Sequence, residues 1–266
     1  MQDQDIMVIS TRNTGQVAKK ALSAFTQQTG LNDCIVLSSD RSSSLALEAR
    51  CPDAWSIDEL RLKAKIYQID VNIVPTHIRR KKLLLADMDA TIICGESFDE
   101  LADIAGVADK VRPITKRAMA GEMDFEDALS ARLKLLTGQP EILLDQVVSN
   151  TRITNGAVEV VATMRNHGAY CYLVSGGFTF LTGVISTKLG FNDHHSNIMG
   201  IADGLLTGEA VPPILDKQAK LAFLRHYIRK FNLTPDECVC VGDGANDIAM
   251  LQHAGMGVAF KGKPAL

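Results

Sequence analysis

Leu83-Leu-Leu-Ala-Asp-Met-Asp-Ala-Thr91 is the stretch that decides the fold. Its three leucines form a short apolar run of the kind that fills a fully buried strand. Asp87 and Asp89 follow where that strand should end. Buried carboxylates are costly unless paired, protonated or metal-bound, and on this stretch alone two solvated turn residues are an equal reading. A second stretch, Glu237-Cys-Val-Cys-Val-Gly-Asp-Gly-Ala-Asn-Asp247, repeats the design with an apolar strand, then glycines and carboxylates, then a helix. Ligands in open parallel sheets sit beyond the carboxyl ends of the strands. Two acidic strand ends converging there make an oxygen-rich site suited to Mg²⁺.

Working outward, 266 residues allow one large domain or two to three small ones. With 46% hydrophobic and 22% charged residues the composition is that of a globular protein. A net charge of −3 argues against a nucleic-acid partner held by bulk electrostatics. The acidic start, Met-Gln-Asp-Gln-Asp, is not that of a signal peptide, and no apolar run is long enough to span a membrane. The six cysteines form no CxxC pair, and Cys171, Cys238 and Cys240 fall in apolar strand patterns. Together these features predict a reduced, cytoplasmic protein without a membrane or nucleic-acid partner.

Residues 1–77 read as a small βαββαβ unit. Strands are expected at Ile6–Ser10, Cys34–Leu37, Ser44–Glu48 and Val71–Val74. A helix over Thr14–Gln28 carries Val17, Ala21, Leu22 and Phe25 on one face, and Ser56 with Glu59 forms a capping box. The order fits a ferredoxin-like sandwich and is similar to that of an ACT domain, a module that often binds amino acids. An amino-acid effector and a purely structural or dimerising role are equal alternatives for it. The basic run Arg79-Arg-Lys-Lys82 reads as solvated charge beside an apolar strand rather than as a nucleic-acid patch.

Beyond it, strands alternate with helices: Leu83 onward, Tyr170–Val174, Cys238–Val241 and Gly257–Phe260, with a hairpin around Asp203-Gly204. This predicts an α/β doubly wound parallel sheet for residues 78–94 and 156–266. Four helical patterns in 95–155 read as a helical-bundle cap inserted after the first core strand, where a lid belongs. Ser175-Gly-Gly177 is expected to open a helix whose N-terminal amides cradle an anion. His194 and His195 are expected in a solvated polar loop.

Asp87-Met-Asp-Ala-Thr91, Ser175-Gly-Gly-Phe178, Lys220 and Gly242-Asp-Gly-Ala-Asn-Asp247, in this order, resemble the four motifs of the haloacid dehalogenase superfamily of phosphohydrolases. The resemblance covers residues 83 to about 264 and is nearer to the members that hydrolyse O-phosphoserine, because it includes the cap stretch Ile114–Phe125. It implies a Mg²⁺-dependent phosphatase serving the last step of serine biosynthesis. Asp87 is then the nucleophile that forms an aspartyl-phosphate. Asp89 is the general acid and base. Asp243 holds Mg²⁺ with Asp87 and the carbonyl of Asp89, and Asp247 stands behind them. Ser175, Gly176 and Asn246 bind the substrate, and Lys220 holds phosphate oxygens; it is preferred to Lys217 because it lies 23 residues before Asp243, as the family pattern requires.

The stripe Phe125, Ala128, Leu129, Leu133, Leu136 also carries Arg132, a cation that needs a partner or must snorkel. The resemblance makes Arg132 the clamp for a substrate carboxylate and Glu96 the partner of its ammonium, with Met119 and Phe125 lining the pocket. The alternatives are another small phosphomonoester as substrate, or a non-catalytic amino-acid-binding regulator on a decayed phosphatase scaffold. Two departures stand out. Ala90 replaces a serine common in relatives. Relatives also continue beyond Lys263-Pro264 with a further strand and helix, so an open sheet edge is expected.

Overall fold

A computed structural model describes residues 6–38, 44–50, 55–119 and 122–266. The chain separates into two compact units, Met1–Arg79 and Arg80–Leu266.

In the first unit the order is β1 (Ile6–Thr14), α1 (Gly15–Thr29), β2 (Ile35–Ser38), β3 (Ser44–Arg50), α2 (Ile57–Ile66) and β4 (Ile69–Val74). The four strands form one antiparallel sheet in the order β2-β3-β1-β4, the ferredoxin-like arrangement. Ser56 and Glu59 close the capping box that starts α2. The buried stripe of α1 is Ala18, Leu22, Phe25 and Thr29. Val17, expected on that face, is 61% exposed. The spacing of Leu22, Phe25 and Thr29 places Ala18, one full turn before Leu22, on the core side.

The second unit begins with β5 (Leu83–Ala86) and a helical insertion, α3 (Ser97–Ile104), α4 (Ala108–Met119), α5 (Phe125–Lys134) and α6 (Ile142–Asn150). There follow α7 (Ala157–Asn166), β6 (Tyr170–Phe178), α8 (Thr179–Leu189), β7 (Asp193–Ala202), β8 (Leu205–Val211), α9 (Lys217–Lys230), β9 (Cys238–Gly242), α10 (Ile248–His253) and β10 (Met256–Ala259). Six strands form one sheet, ordered β10-β9-β5-β6-β7-β8, parallel except for the β7–β8 hairpin. Among the described residues no helix is long and apolar enough to cross a membrane.

β5 lies at the centre and is buried along its whole length. Its side chains alternate between the two faces. Leu84 joins the apolar cluster with Leu129, Leu133 and Leu173, whereas Leu83 and Leu85 join that of Tyr172, Leu224 and Cys240. Cys171, Cys238 and Cys240 are buried free thiols, as small hydrophobes should be.

Register fixes the site. Ala86 pairs with Val241 on one side and Leu173 on the other. Asp87, Ser175 and Asp243 therefore emerge together at the carboxyl edge. The insertion is tied at its base, where Thr154 N donates to Ile92 O (2.9 Å) and Cys94 N to Arg152 O (2.8 Å). Its middle is tied to the β7–β8 hairpin, through Gly138 N to Leu206 O and Leu206 N to Gln139 O, both 2.8 Å. These bonds fix the 137–141 segment to the sheet, so a lid closure involving all of 95–155 would have to break them.

Candidate active site

Asp87 ends β5 with a backbone N–H that donates to Val241 O (3.0 Å). The residue is 4% exposed, and its carboxylate accepts from Met88 N (2.8 Å). Burial pushes this group up to about 7, against the pull of the neighbouring Lys220 ammonium. Asp89 lies in a kink with Ala90, which takes a left-handed conformation at φ 49°. Asp89 Oδ1 accepts from Ser97 N (2.7 Å) and Oδ2 from Ser175 Oγ (3.2 Å). Burial raises its pKa too, opposed by those hydrogen bonds. A carboxyl that is easily protonated beside a reactive carboxylate is what a general acid requires.

From the second acidic strand end come Asp243, 5% exposed, and Asp247, fully buried. Asp247 Oδ2 accepts from Asp243 N (3.1 Å) and Gly244 N (3.0 Å), and Oδ1 from Lys220 Nζ (2.6 Å). Lys220 Nζ also lies 2.8 Å from Asp87 Oδ1. Burial alone would lower the Lys220 pKa, but Asp87 and Asp247 raise it, so it stays an ammonium. Gly242 makes this packing possible, since a Cβ there would lie 2.3 Å from Asp247 Cγ.

Asp87, Asp243 and Asp247 can bring one carboxylate oxygen each to within 4.8 Å of one another. Five carboxylates, counting Asp89 and Glu96, face two ammonium groups, Lys220 and Lys263. This excess of negative charge and hard oxygen donors fits a divalent cation. Because both oxygens of Asp247 are already engaged, it fits a role of orienting the loop better than direct ligation.

A small pocket opens beside Lys220, lined among others by Phe125, Ser175, Gly176 and Asn246. Glu96 and Arg132 lie outside this lining. Arg132 is partly buried on α5, its guanidinium 4.7 Å from the Phe98 ring centroid and its Nε donating to Ala128 O. Burial lowers its pKa, opposed by the fields of Asp99 and Glu96. Glu96 is bound by Lys263 Nζ at 3.0 Å, and the same ammonium lies 2.9 Å from Asp243 Oδ2. The side chain of Met119, expected to line the pocket, lies outside the described residues.

Two expectations are corrected. Ser175-Gly-Gly177 does not open a helix. β6 runs on to Phe178 and α8 starts at Thr179. The Ser175 hydroxyl, accepting from Gly177 N (2.8 Å), organises this stretch instead of a helix N-terminus. His194 and His195 sit in β7, not in a loop. Their polar rings are satisfied from the flanking helices, His194 by Thr182 Oγ1 (2.9 Å) and His195 by the Tyr227 hydroxyl and the Phe223 ring. Lys263 and Asn197 were not singled out by sequence. Lys263 lies 167 residues from Glu96 in sequence, a separation that no local pattern bridges.

Residues 84–252 match the family model of haloacid dehalogenase-like hydrolases. A phosphoserine phosphatase from Archaeoglobus fulgidus is 39% identical over 209 residues, covering 78% of this chain and 61% of that one. The chain spans 46–61% of the length of four such curated relatives. Among solved structures, a HAD family hydrolase from Salmonella enterica serovar Typhi superposes with a TM-score of 0.84 at 26% identity, covering 98% of this chain and 91% of that one. A phospho-aspartyl intermediate analogue of a phosphoserine phosphatase superposes at 0.65 and 37% identity, over 70% and 89%. The matched stretch carries both acidic strand ends, the β6 serine and the buried lysine between them, and this chain belongs to the haloacid dehalogenase-like hydrolases.

Proposed function

We propose that this protein hydrolyses O-phosphoserine to serine and phosphate. The observation that carries the reading is the buried Asp87 carboxylate at the end of β5, 2.8 Å from Lys220 and clustered with Asp243 and Asp247. The names of the relatives support the substrate.

In this reading Asp87 attacks phosphorus along the line of the leaving serine oxygen, and the P–O bond to serine breaks. Asp89 delivers its proton to that oxygen. The same carboxylate then takes a proton from the water that attacks phosphorus and frees Asp87. Lys220 and Ser175 hold the phosphoryl oxygens and meet the charge that gathers on them. Asp87, Asp243 and the Asp89 carbonyl would hold Mg²⁺, which offsets the repulsion between anionic nucleophile and anionic substrate. Arg132 and Glu96 take the substrate's carboxylate and ammonium, Glu96 leaving Lys263 to do so, and Met119, Phe125 and Asn246 close the pocket. Residues 78–94 and 156–266 form the core, 95–155 the cap, and 1–77 an ACT-like domain open to an amino-acid effector.

Phosphate release should be measured across a panel of phosphomonoesters with Mg²⁺, for wild type and Asp87→Asn. Phosphoserine should be the preferred substrate, with turnover falling by several orders of magnitude in the variant. Asp87→Asn retaining more than about one part in a hundred of the activity would remove Asp87 as nucleophile. Preference for another ester would replace the substrate.

A further inference from the structure

Asn197 is fully buried on β7, and its side chain bonds main-chain groups of two separate segments of the site. Its Nδ2 donates to Gly176 O (2.9 Å), and its Oδ1 accepts from Leu215 N (2.7 Å). The β6–β7 ladder explains the first bond. Val174 pairs with His195 and Phe178 with Asn197, so β6 carries two more residues than β7 over this interval. The excess is a bulge holding Ser175, Gly176 and Gly177. Bulges re-aim side chains near active sites but leave their main-chain groups without ladder partners. The Asn197 amide supplies one for Gly176.

The second bond reaches α9. Leu215 precedes Asp216, the N-cap of α9, whose Oδ1 accepts from Gln218 N (2.8 Å) and Ala219 N (3.1 Å). Lys220 follows directly. Gly176, Leu215 and Lys220 all line the pocket, and Asn197 does not. One rigid amide therefore stands between the β6 bulge that presents Ser175 and the first turn of the helix that presents Lys220.

We propose that Asn197 is a positioning residue for phosphoryl transfer. It fixes the separation between the Ser175–Gly176 bulge and Lys220, so that both hold the same phosphoryl group. This rests on the phosphatase reading but not on serine as the leaving group. A misplacement of about 1 Å in such a site can lower turnover about 10²-fold.

The test uses the full chain and p-nitrophenyl phosphate, with orthophosphate as inhibitor. Asn197→Ala removes both bonds. Asn197→Leu is close in shape and volume and also removes both bonds, so it carries the test if the alanine variant does not fold. The expected result is a kcat about 10- to 100-fold lower and an orthophosphate inhibition constant at least about tenfold higher, with the Mg²⁺ dissociation constant by calorimetry rising by clearly less, since Asn197 reaches Asp87 only through Lys220. A folded variant with wild-type kcat and orthophosphate inhibition, altered only in Tm, overturns the proposal and leaves Asn197 a fold residue. An equal loss of Mg²⁺ affinity and orthophosphate binding also overturns it, as general collapse of the site. A wild type that hydrolyses no phosphomonoester defeats the phosphatase reading and takes this inference with it.

Discussion

The ammonium of Lys263 sits 2.9 Å from Asp243 Oδ2 while also holding Glu96. Its pKa is raised, because the hydrogen bonds it donates to the two carboxylates outweigh burial. A positive charge on a carboxylate that would bind a divalent cation competes with that cation. The Lys263 side chain is 39% exposed, so solvent screens the pair, and such pairs are worth about 0.2–1 kcal/mol. Lys263→Gln should therefore bind Mg²⁺ up to about fivefold more tightly. Titration calorimetry without substrate reads this directly. Equal binding would show that Lys263 does not compete with the cation, and weaker binding that it assists it.

Arg132 is expected to act only on substrates that carry a carboxylate. Removing one partner of a desolvated pair costs about 2–5 kcal/mol, or roughly 30-fold to several-thousand-fold in kcat/KM. Arg132→Ala should lose that factor with phosphoserine and almost nothing with p-nitrophenyl phosphate. If both substrates fall together, the stack on Phe98 is holding the helical insertion. If neither falls, Arg132 has no part in recognition.

Gly242→Ala tests how tightly the second acidic strand end is packed. The new methyl would meet Asp247 Cγ at 2.3 Å and force that carboxylate away from the amides of Asp243 and Gly244. Overpacking of this kind costs about 1–3 kcal/mol. Urea unfolding should show that loss, and Mg²⁺ binding should weaken with it. A variant of unchanged stability would mean that the loop yields without strain.

The metal-free protein should lose stability as pH rises from about 4 to about 7. Asp87 titrates at about 7 in the folded chain against an ordinary value of 3.8, so the folded state holds its proton more tightly than the unfolded state. Its contribution is complete below the unfolded value and disappears as pH passes the folded one. Thermal melts in chelator should have a steeper downward trend in this window for wild type than for Asp87→Asn. Parallel trends would place the perturbed titration elsewhere.

Much of this architecture was legible in residues 83–91 and 237–247, because buried strands ending in carboxylates leave few alternatives. The hairpin at Asp203-Gly204, the capping box at Ser56 and the buried cysteines were legible for equally local reasons. What escaped was long-range. The run Asp193-His-His-Ser-Asn197 is polar throughout, so no alternation marks it as a strand, and its burial depends on Thr182 and Tyr227 in distant helices. Ser175-Gly-Gly177 has the composition of a helix start, yet Phe178 pairs with Asn197 and draws the strand past it. Lys263 carries no local signature, because its partners lie 20 and 167 residues away in sequence.

The alternation of β5 has a consequence for how reactivity arises during folding. Leu84 is part of the apolar cluster on one face of the sheet, and Leu83 and Leu85 belong to that on the other. Neither layer can assemble around β5 and leave its opposite face in water without exposing leucines. The two layers are thus obliged to condense together, and the strand that aims Asp87 is the last place where a half-formed intermediate could persist. A partly melted chain would carry all the acidic groups of the site but no directed Asp87 carboxylate. Hydrolytic competence should appear in one step, with the same midpoint as tertiary structure on both sides of the sheet.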